Sequence, residues 1–136
     1  MFTSTALIPE TALNLLAKTP YSSTVSPAIE TNTMRPKLAG KTGGLSGPAI
    51  RPVAVRAIYQ VHQAFPNTPI LGMGGVASGR DALELILAGA SAVSVGTATF
   101  GDPTAVIKIK NQLAELLTQK GFDDFRDAIG FAHRGI

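Results

Sequence analysis

An α/β fold built as the C-terminal half of a (β/α)8 TIM barrel is what this sequence predicts, and three observations carry the prediction. Two glycine-marked stretches, Gly72-Met73-Gly74-Gly75 and Gly96-Thr97, each follow a short apolar run, Thr68-Pro69-Ile70-Leu71 and Ser91-Ala92-Val93-Ser94-Val95. Each is then followed by a segment of helical periodicity. The two stretches lie one βα unit apart, so N–H groups just past neighbouring strands can converge on one phosphate between the last strands of such a barrel.

The elements follow in order. Residues 1–40 are rich in Ser, Thr and Pro, with one short helical candidate over residues 10–18. Residues 1–27 read as a divergent opening segment and residues 28–136 as the barrel portion. Lys41 to Gly47 forms a loop leading into a helix, and Pro48 suits the first helical turn, where its missing N–H costs nothing. That helix runs to about Phe65, with Ala54, Ala57, Ile58, Val61 and Phe65 on one face and Arg56, Gln60 and Gln63 on the other. Pro66-Asn67 breaks it. Thr68 to Leu71 then reads as a parallel strand buried on both faces, because no polar alternation interrupts it.

Ser78 opens the next helix with Asp81 three residues on, a capping-box spacing with the shorter aspartate. Ala82, Leu83 and Ile86 form its apolar stripe, and Gly89 ends it. Ala92 to Val95 is a second buried strand. Asp102-Pro103 caps the last long helix, whose Val106, Ile109, Leu113, Leu116 and Leu117 are expected to face inward. Gly121 stops that helix, and a short helical tail over residues 123–129 follows. Short connections in the order α–β–α–β–α belong to the back of an alternating fold.

The 136 residues suffice for one domain, about half of the roughly 250 that a full barrel needs. A net charge of +3 with scattered basic residues argues against a nucleic-acid partner, which would call for a basic stripe. There is no cysteine, so disulfides, thiolate catalysis and cysteine-based metal sites are excluded within this sequence. No apolar run approaches the ~20 residues that span a bilayer, and the start lacks the basic and apolar regions of a signal peptide. The expected location is cytoplasmic.

The strongest chemical feature is a phosphate cradle made by the N–H groups of Gly74, Gly75, Gly96 and Thr97, with the Thr97 hydroxyl as a further ligand. A tight strand-to-helix turn explains one such loop; two in tandem are harder to obtain that way. The Gly43-Gly44-Leu45-Ser46-Gly47 loop is a third place of close backbone approach, suited to a planar ring or its ribityl chain. Lys41 is the cation nearest these loops. His62 and His133 have no Ser, Cys or second His at catalytic or metal spacing and read as surface residues. Asp81 reads as a cap and Glu84 as a solvated side chain. The residues therefore offer a binding site without an acid, base or nucleophile.

Lys41-Thr42-Gly43-Gly44-Leu45-Ser46-Gly47-Pro48-Ala49-Ile50, Arg51-Pro52-Val53-Ala54-Val55-Arg56, Gly72-Met73-Gly74-Gly75 and the run from Ala88 to Thr97 closely resemble the dihydroorotate dehydrogenase family. The likeness runs from about Glu30 to Gly135 and is to the catalytic subunit of the NAD-linked class 1B. Fumarate-using class 1A proteins share the two phosphate loops and differ at Lys41 to Gly47. The resemblance implies an FMN-containing barrel that oxidises dihydroorotate to orotate in pyrimidine biosynthesis. Gly47 would contact FMN, Gly74 and Gly75 would hold its phosphate, and Gly96 and Thr97 would complete the cradle. It also implies a homodimer and an iron–sulfur partner subunit that carries FAD and a 2Fe–2S cluster.

Departures accompany the match. The family's catalytic cysteine and its flavin-contacting lysine lie in the first half of the barrel and have no counterpart here. An orotate-binding Asn-Thr pair expected near Ser22-Ser23 is not present either. The expectation is a C-terminal fragment, inactive alone and poorly soluble as a monomer. A non-catalytic FMN- or phosphate-binding half-barrel, or a partner-assembly module, is the alternative reading. A different phosphate-binding barrel enzyme would leave Gly43 to Pro48 unexplained.

Overall fold

Glycines and prolines divide the chain where its elements change, as the computed structural model shows for residues 24–25, 29–40 and 43–135. The helical candidate over residues 10–18, the Ser22-Ser23 position and Lys41 lie outside these described residues. Two small antiparallel pairs come first. β1 (Thr24–Val25) pairs with β4 (Gly43–Gly44), and β2 (Ile29–Glu30) pairs with β3 (Arg35–Pro36). The turn between β2 and β3 is closed by Met34 N–H donating to the Glu30 carbonyl at 2.7 Å.

A 3-10 turn, Pro48–Ile50, runs straight into α1 (Arg51–Ala64), as the proline predicts. The strand that follows, β5, spans Leu71–Met73 rather than Thr68 to Leu71. The reason is local. Thr68 N–H is taken by the Phe65 carbonyl at 3.1 Å in the turn closing α1, and Pro69 has no N–H to offer a ladder. Pairing begins where the Ser91 N–H donates to the Ile70 carbonyl at 2.8 Å. β5 then runs parallel to β6 (Ala92–Ser94), in the register Leu71 with Ala92, Gly72 with Val93 and Met73 with Ser94.

Between those strands lies α2 (Gly79–Leu87). Ser78 caps it through its hydroxyl oxygen, which accepts from Asp81 N–H at 3.3 Å. Ala82, Leu83 and Ile86 are all buried, as their spacing predicts, and Gly89 ends the helix at φ +125°. α3 (Ala98–Gly101) is one short turn after β6, and α4 (Ala105–Gln119) follows. Asp102 holds the start of α4, where it accepts from Thr104 N–H at 2.9 Å and from the Lys108 ammonium at 2.7 Å. α5 (Phe125–Ala128) and a 3-10 turn, Phe131–His133, close the chain.

Helices α1, α2 and α4 build the core against the two parallel strands. Ala54, Ile58, Leu85, Ala90 and Ile109 form one buried cluster, and Leu83, Ile86, Leu117 and Ala128 form a second. Leu85 and Ile86 are wholly buried, each stabilising the fold by about 1.5–3 kcal/mol. α2 and α4 pack so closely that a Cβ at Gly79 would stand 2.5 Å from Gln112 Cβ. Gly79 N–H donates to Gln112 Oε1 at 2.8 Å across the same contact.

Three burial expectations are corrected. β6 spans Ala92–Ser94 and is not a fully buried strand, since Ala92 is exposed and Val93 and Ser94 are only partly buried. β5 is not buried on both faces: Gly72 is buried, but Leu71 and Met73 are 56% and 58% exposed. Successive side chains alternate across a strand, and among the described residues helices cover only one of its faces. Val106 is half exposed rather than inward, because α4 turns Ala105 and Ile109 to the core instead.

Candidate functional site

Because β5 and β6 run parallel and adjacent, the loops leaving their C-terminal ends emerge side by side. The turn preceding α1 meets the first of them. The result is a groove of about 870 Å³ whose walls include Gly47, Gly74, Gly75, Gly96 and Thr97 together. All five residues expected from the sequence to hold the cofactor line this one concavity. It continues along the apolar side chains of Ala57, Val61 and Phe65 on α1. Those three were expected to share one face with Ala54 and Ile58; of the five, only Ala54 and Ile58 are buried.

The glycines do two different jobs. Gly74 and Gly75 stand at φ +118° and +75°, where a side chain is strained. A Cβ on Gly75 would lie 2.7 Å from Arg51 Cβ and 2.9 Å from both Arg51 N and the Gly47 carbonyl oxygen. One on Gly74 would lie 3.0 Å from Ala54 Cβ. These two are required by the close meeting of two loops. Gly96 is different: its φ lies outside the left-handed region, and nothing stands within 4 Å of where its Cβ would be. Neither backbone conformation nor a described neighbour demands glycine there; the open space is on the groove.

Thr97 is exposed at the start of α3. The neighbouring Thr99 hydroxyl is spent on the Gly96 carbonyl at 2.8 Å, which ties down this turn. Leu45, Ser46 and Gly47 of the glycine-rich loop also line the groove, whereas Gly43–Gly44 are taken up by pairing with β1. Among the described residues that form the walls, none is Asp, Glu, His, Lys or Arg. The groove offers backbone N–H groups, two kinds of hydroxyl and apolar surface. That set binds an anion through dipoles rather than through a counter-charge.

Outside the groove, Arg51 at the start of α1 reaches the Asp81 carboxylate on α2 and, through Nε, the Glu84 carboxylate at 3.0 Å. Asp81 does cap its helix region, since its Oδ2 accepts from Ala77 N–H at 3.0 Å, but it is also one half of an ion pair. Glu84 is ion-paired rather than simply solvated. Sequence reading missed this because no spacing rule links residues on separate elements.

His62 and His133 are likewise not isolated surface residues. His133 stacks on Tyr59 with ring centroids 3.9 Å apart, and its Nε2 lies 3.0 Å from the Ala88 carbonyl oxygen. The two imidazole centroids are 4.8 Å apart. Burial, and secondarily the charge of His133, hold the His62 pKa below its ordinary value of 6.5. His62 packs where Gly89 and Gly130 leave room: a Cβ at either would come within 2.3 Å of its ring. Neither histidine lines the groove. No group of three or more potential metal-ligating side chains occurs among the described residues.

Fold and groove together are those of part of an α/β barrel, with two glycine loops meeting at the C-terminal ends of neighbouring parallel strands. A family model described as dihydroorotate dehydrogenase matches residues 5–117, and so begins within the opening segment expected to be divergent. A relative from Desulforudis audaxviator, "Dihydroorotate dehydrogenase B (NAD(+)), catalytic subunit", is 51% identical over 106 residues, covering 78% of this chain and 34% of its own. One from Aquifex aeolicus, which carries a provisional fumarate-linked A-type name, is 50% identical over 101 residues, 74% of this chain and 33% of its own. The crystal structure of DHODH from Eimeria tenella in complex with ferulenol superposes with a TM-score of 0.66 at 31% identity, covering 81% of this chain and 30% of that one. The chain belongs to the dihydroorotate dehydrogenase family. It spans about a third of the length of the curated relatives it matches.

No helix among the described residues is long and apolar enough to cross a membrane.

Proposed function

We propose that the groove holds FMN by its phosphate, and that this chain supplies the cofactor-holding portion of an NAD-linked dihydroorotate dehydrogenase. Gly96 is the observation that carries the reading. It is a glycine that the fold does not demand, facing open space beside a second glycine loop whose tight packing is demanded. A phosphate seated there would take the N–H groups of Gly74, Gly75, Gly96 and Thr97 and the Thr97 hydroxyl. Gly47 would lie against the flavin, where a side chain would intrude. A cradle with no cationic side chain among its described residues suits a cofactor that stays bound, since orientation comes from several fixed dipoles at once.

Bound there, FMN supplies the hydride acceptor for oxidation of dihydroorotate to orotate. This chain's own residues bind, orient and exclude water from one side. No described residue of the groove takes up a proton near neutral pH, and the sequence contains no cysteine to serve as the base. On this reading proton abstraction lies outside the residues of this groove, and FAD and a 2Fe–2S cluster belong to an electron-accepting partner subunit. The B-type names of relatives support the NAD-linked assignment. The same reading implies a homodimeric catalytic unit in the cytoplasm.

That none of the groove's described residues is Asp, Glu, His, Lys or Arg also favours a second reading, a module that binds FMN without catalysis. Titration of the purified chain with FMN, followed by flavin fluorescence, tests the shared claim, and dihydroorotate-driven reduction of an acceptor separates the two. Quenching with saturation and no turnover by this chain alone is the expected result. Turnover by the chain alone contradicts the assignment of the base elsewhere.

A further inference from the structure

We propose that Arg51 and Asp81 are positioning residues for the phosphate cradle, an inference that rests on the FMN reading above. Arg51 does two things at once. Its backbone N and Cβ pack against Gly75, beside the Gly47 carbonyl oxygen, so the turn before α1 and the loop after β5 share one contact point. Its guanidinium leaves that point and binds the Asp81 carboxylate. Asp81 holds the other end of the same loop, because its second oxygen accepts from Ala77 N–H at 3.0 Å. The segment from Gly74 to Ala77 is therefore clamped at both ends by a single ion pair.

The pair is placed for this role. The Asp81 side chain is 11% exposed and that of Arg51 31%, so loss of either leaves a poorly solvated charge without its partner. Arg51 does not reach the ligand side. It lines a separate concavity with Arg80, Leu116 and Lys120, and is absent from the groove walls. It acts on the phosphate through Gly75, which it packs against while Asp81 fixes the loop at Ala77, as an outer residue fixes the donors that touch a ligand. Glu84 adds a second contact to Arg51 but is half exposed and touches neither loop, so it contributes little to placement.

The test compares FMN with riboflavin, which lacks the phosphate, by quenching of flavin fluorescence. Wild type should bind FMN more tightly than riboflavin. Arg51→Met and Asp81→Asn should each weaken FMN binding by roughly tenfold, the usual cost of losing an outer partner of a ligand-holding group. Riboflavin affinity should stay unchanged. The double variant should be no worse than the poorer single, because both break one coupled unit. Glu84→Gln should bind both flavins as wild type does. Equal weakening of both flavins in the Arg51 and Asp81 variants, or an unchanged FMN affinity, overturns the positioning role. A wild type that binds the two flavins alike overturns the phosphate reading itself and is recognisable before any variant is made.

Amide hydrogen exchange without flavin supplies a second measurement that also reports folding. In Arg51→Met the Gly75 and Ala77 amides should exchange faster while Leu85 and Ile86 remain protected. Unchanged exchange at Gly75 and Ala77 overturns the proposal.

Discussion

Gly75 and Gly96 sit in one groove and make opposite predictions on substitution. Gly75→Ala places a Cβ at φ +75° within 2.9 Å of a backbone nitrogen and a carbonyl oxygen. Such strain costs about 1–3 kcal/mol, so thermal unfolding should show a clear loss of stability. In Gly96→Val the added Cβ meets no described neighbour within 4 Å. Its stability should be close to wild type, while FMN binding is lost. Titration at His62 belongs to this scale too. Its pKa is lowered in the fold by burial first and by His133 second. The unfolded chain therefore binds more protons, and stability is fully present above pH 6.5 and falls as pH drops below it. Melting temperatures compared at pH 7.5 and 5.5 check this, and His62→Gln should flatten the difference. The histidine cluster was invisible in the sequence because 71 positions separate its members (133 minus 62), whereas the Ser78–Asp81 cap was legible because its geometry is local.

Helix α2 is the hub of the fold, packed on α4 through Gly79 and on β5 through Leu85, which lies beside Gly72. Leu85→Ala should destabilise by about 2–5 kcal/mol, measurable by denaturant unfolding. The start of α4 depends on Asp102, whose pKa is brought down to about 2 mainly by the Lys108 ammonium and then by Thr104. A lowered carboxylate contributes stability above its unfolded value and loses it on acidification, here between 3.8 and about 2. Lys108→Met should raise the Asp102 pKa, read by NMR titration of the carboxylate. Periodicity and punctuation were enough to place α1, α2 and α4. Strand edges were harder: Pro69 and the Thr68 turn bond decide where β5 begins, and an apolar run does not reveal which of its residues enter a ladder. Covering of one strand face rather than both depends on the layers assembled around it, which the strand's own residues do not specify.

At the scale of the whole molecule, the described residues leave Leu71, Met73 and Phe100 exposed at 56%, 58% and 90%. Leu71 and Met73 lie on the open face of the parallel pair. A surface of this kind favours association, so sedimentation should show self-association or pairing rather than a monodisperse monomer with a cooperative melt. All five residues read from the sequence as the cofactor site meet in one groove, because parallel strands bring successive C-terminal loops together. What stayed hidden was the support behind them, Arg51 with Asp81, which joins two elements only through tertiary packing.

The central claim is that the twin glycine loops hold the phosphate of FMN. The most direct measurement is flavin fluorescence quenching by the wild-type chain and by Gly96→Val, with FMN and riboflavin run side by side. The account predicts tighter binding of FMN than of riboflavin by wild type, and loss of that preference in a folded Gly96→Val. An equal affinity for both flavins in wild type, or a preference for FMN that survives Gly96→Val, would contradict it.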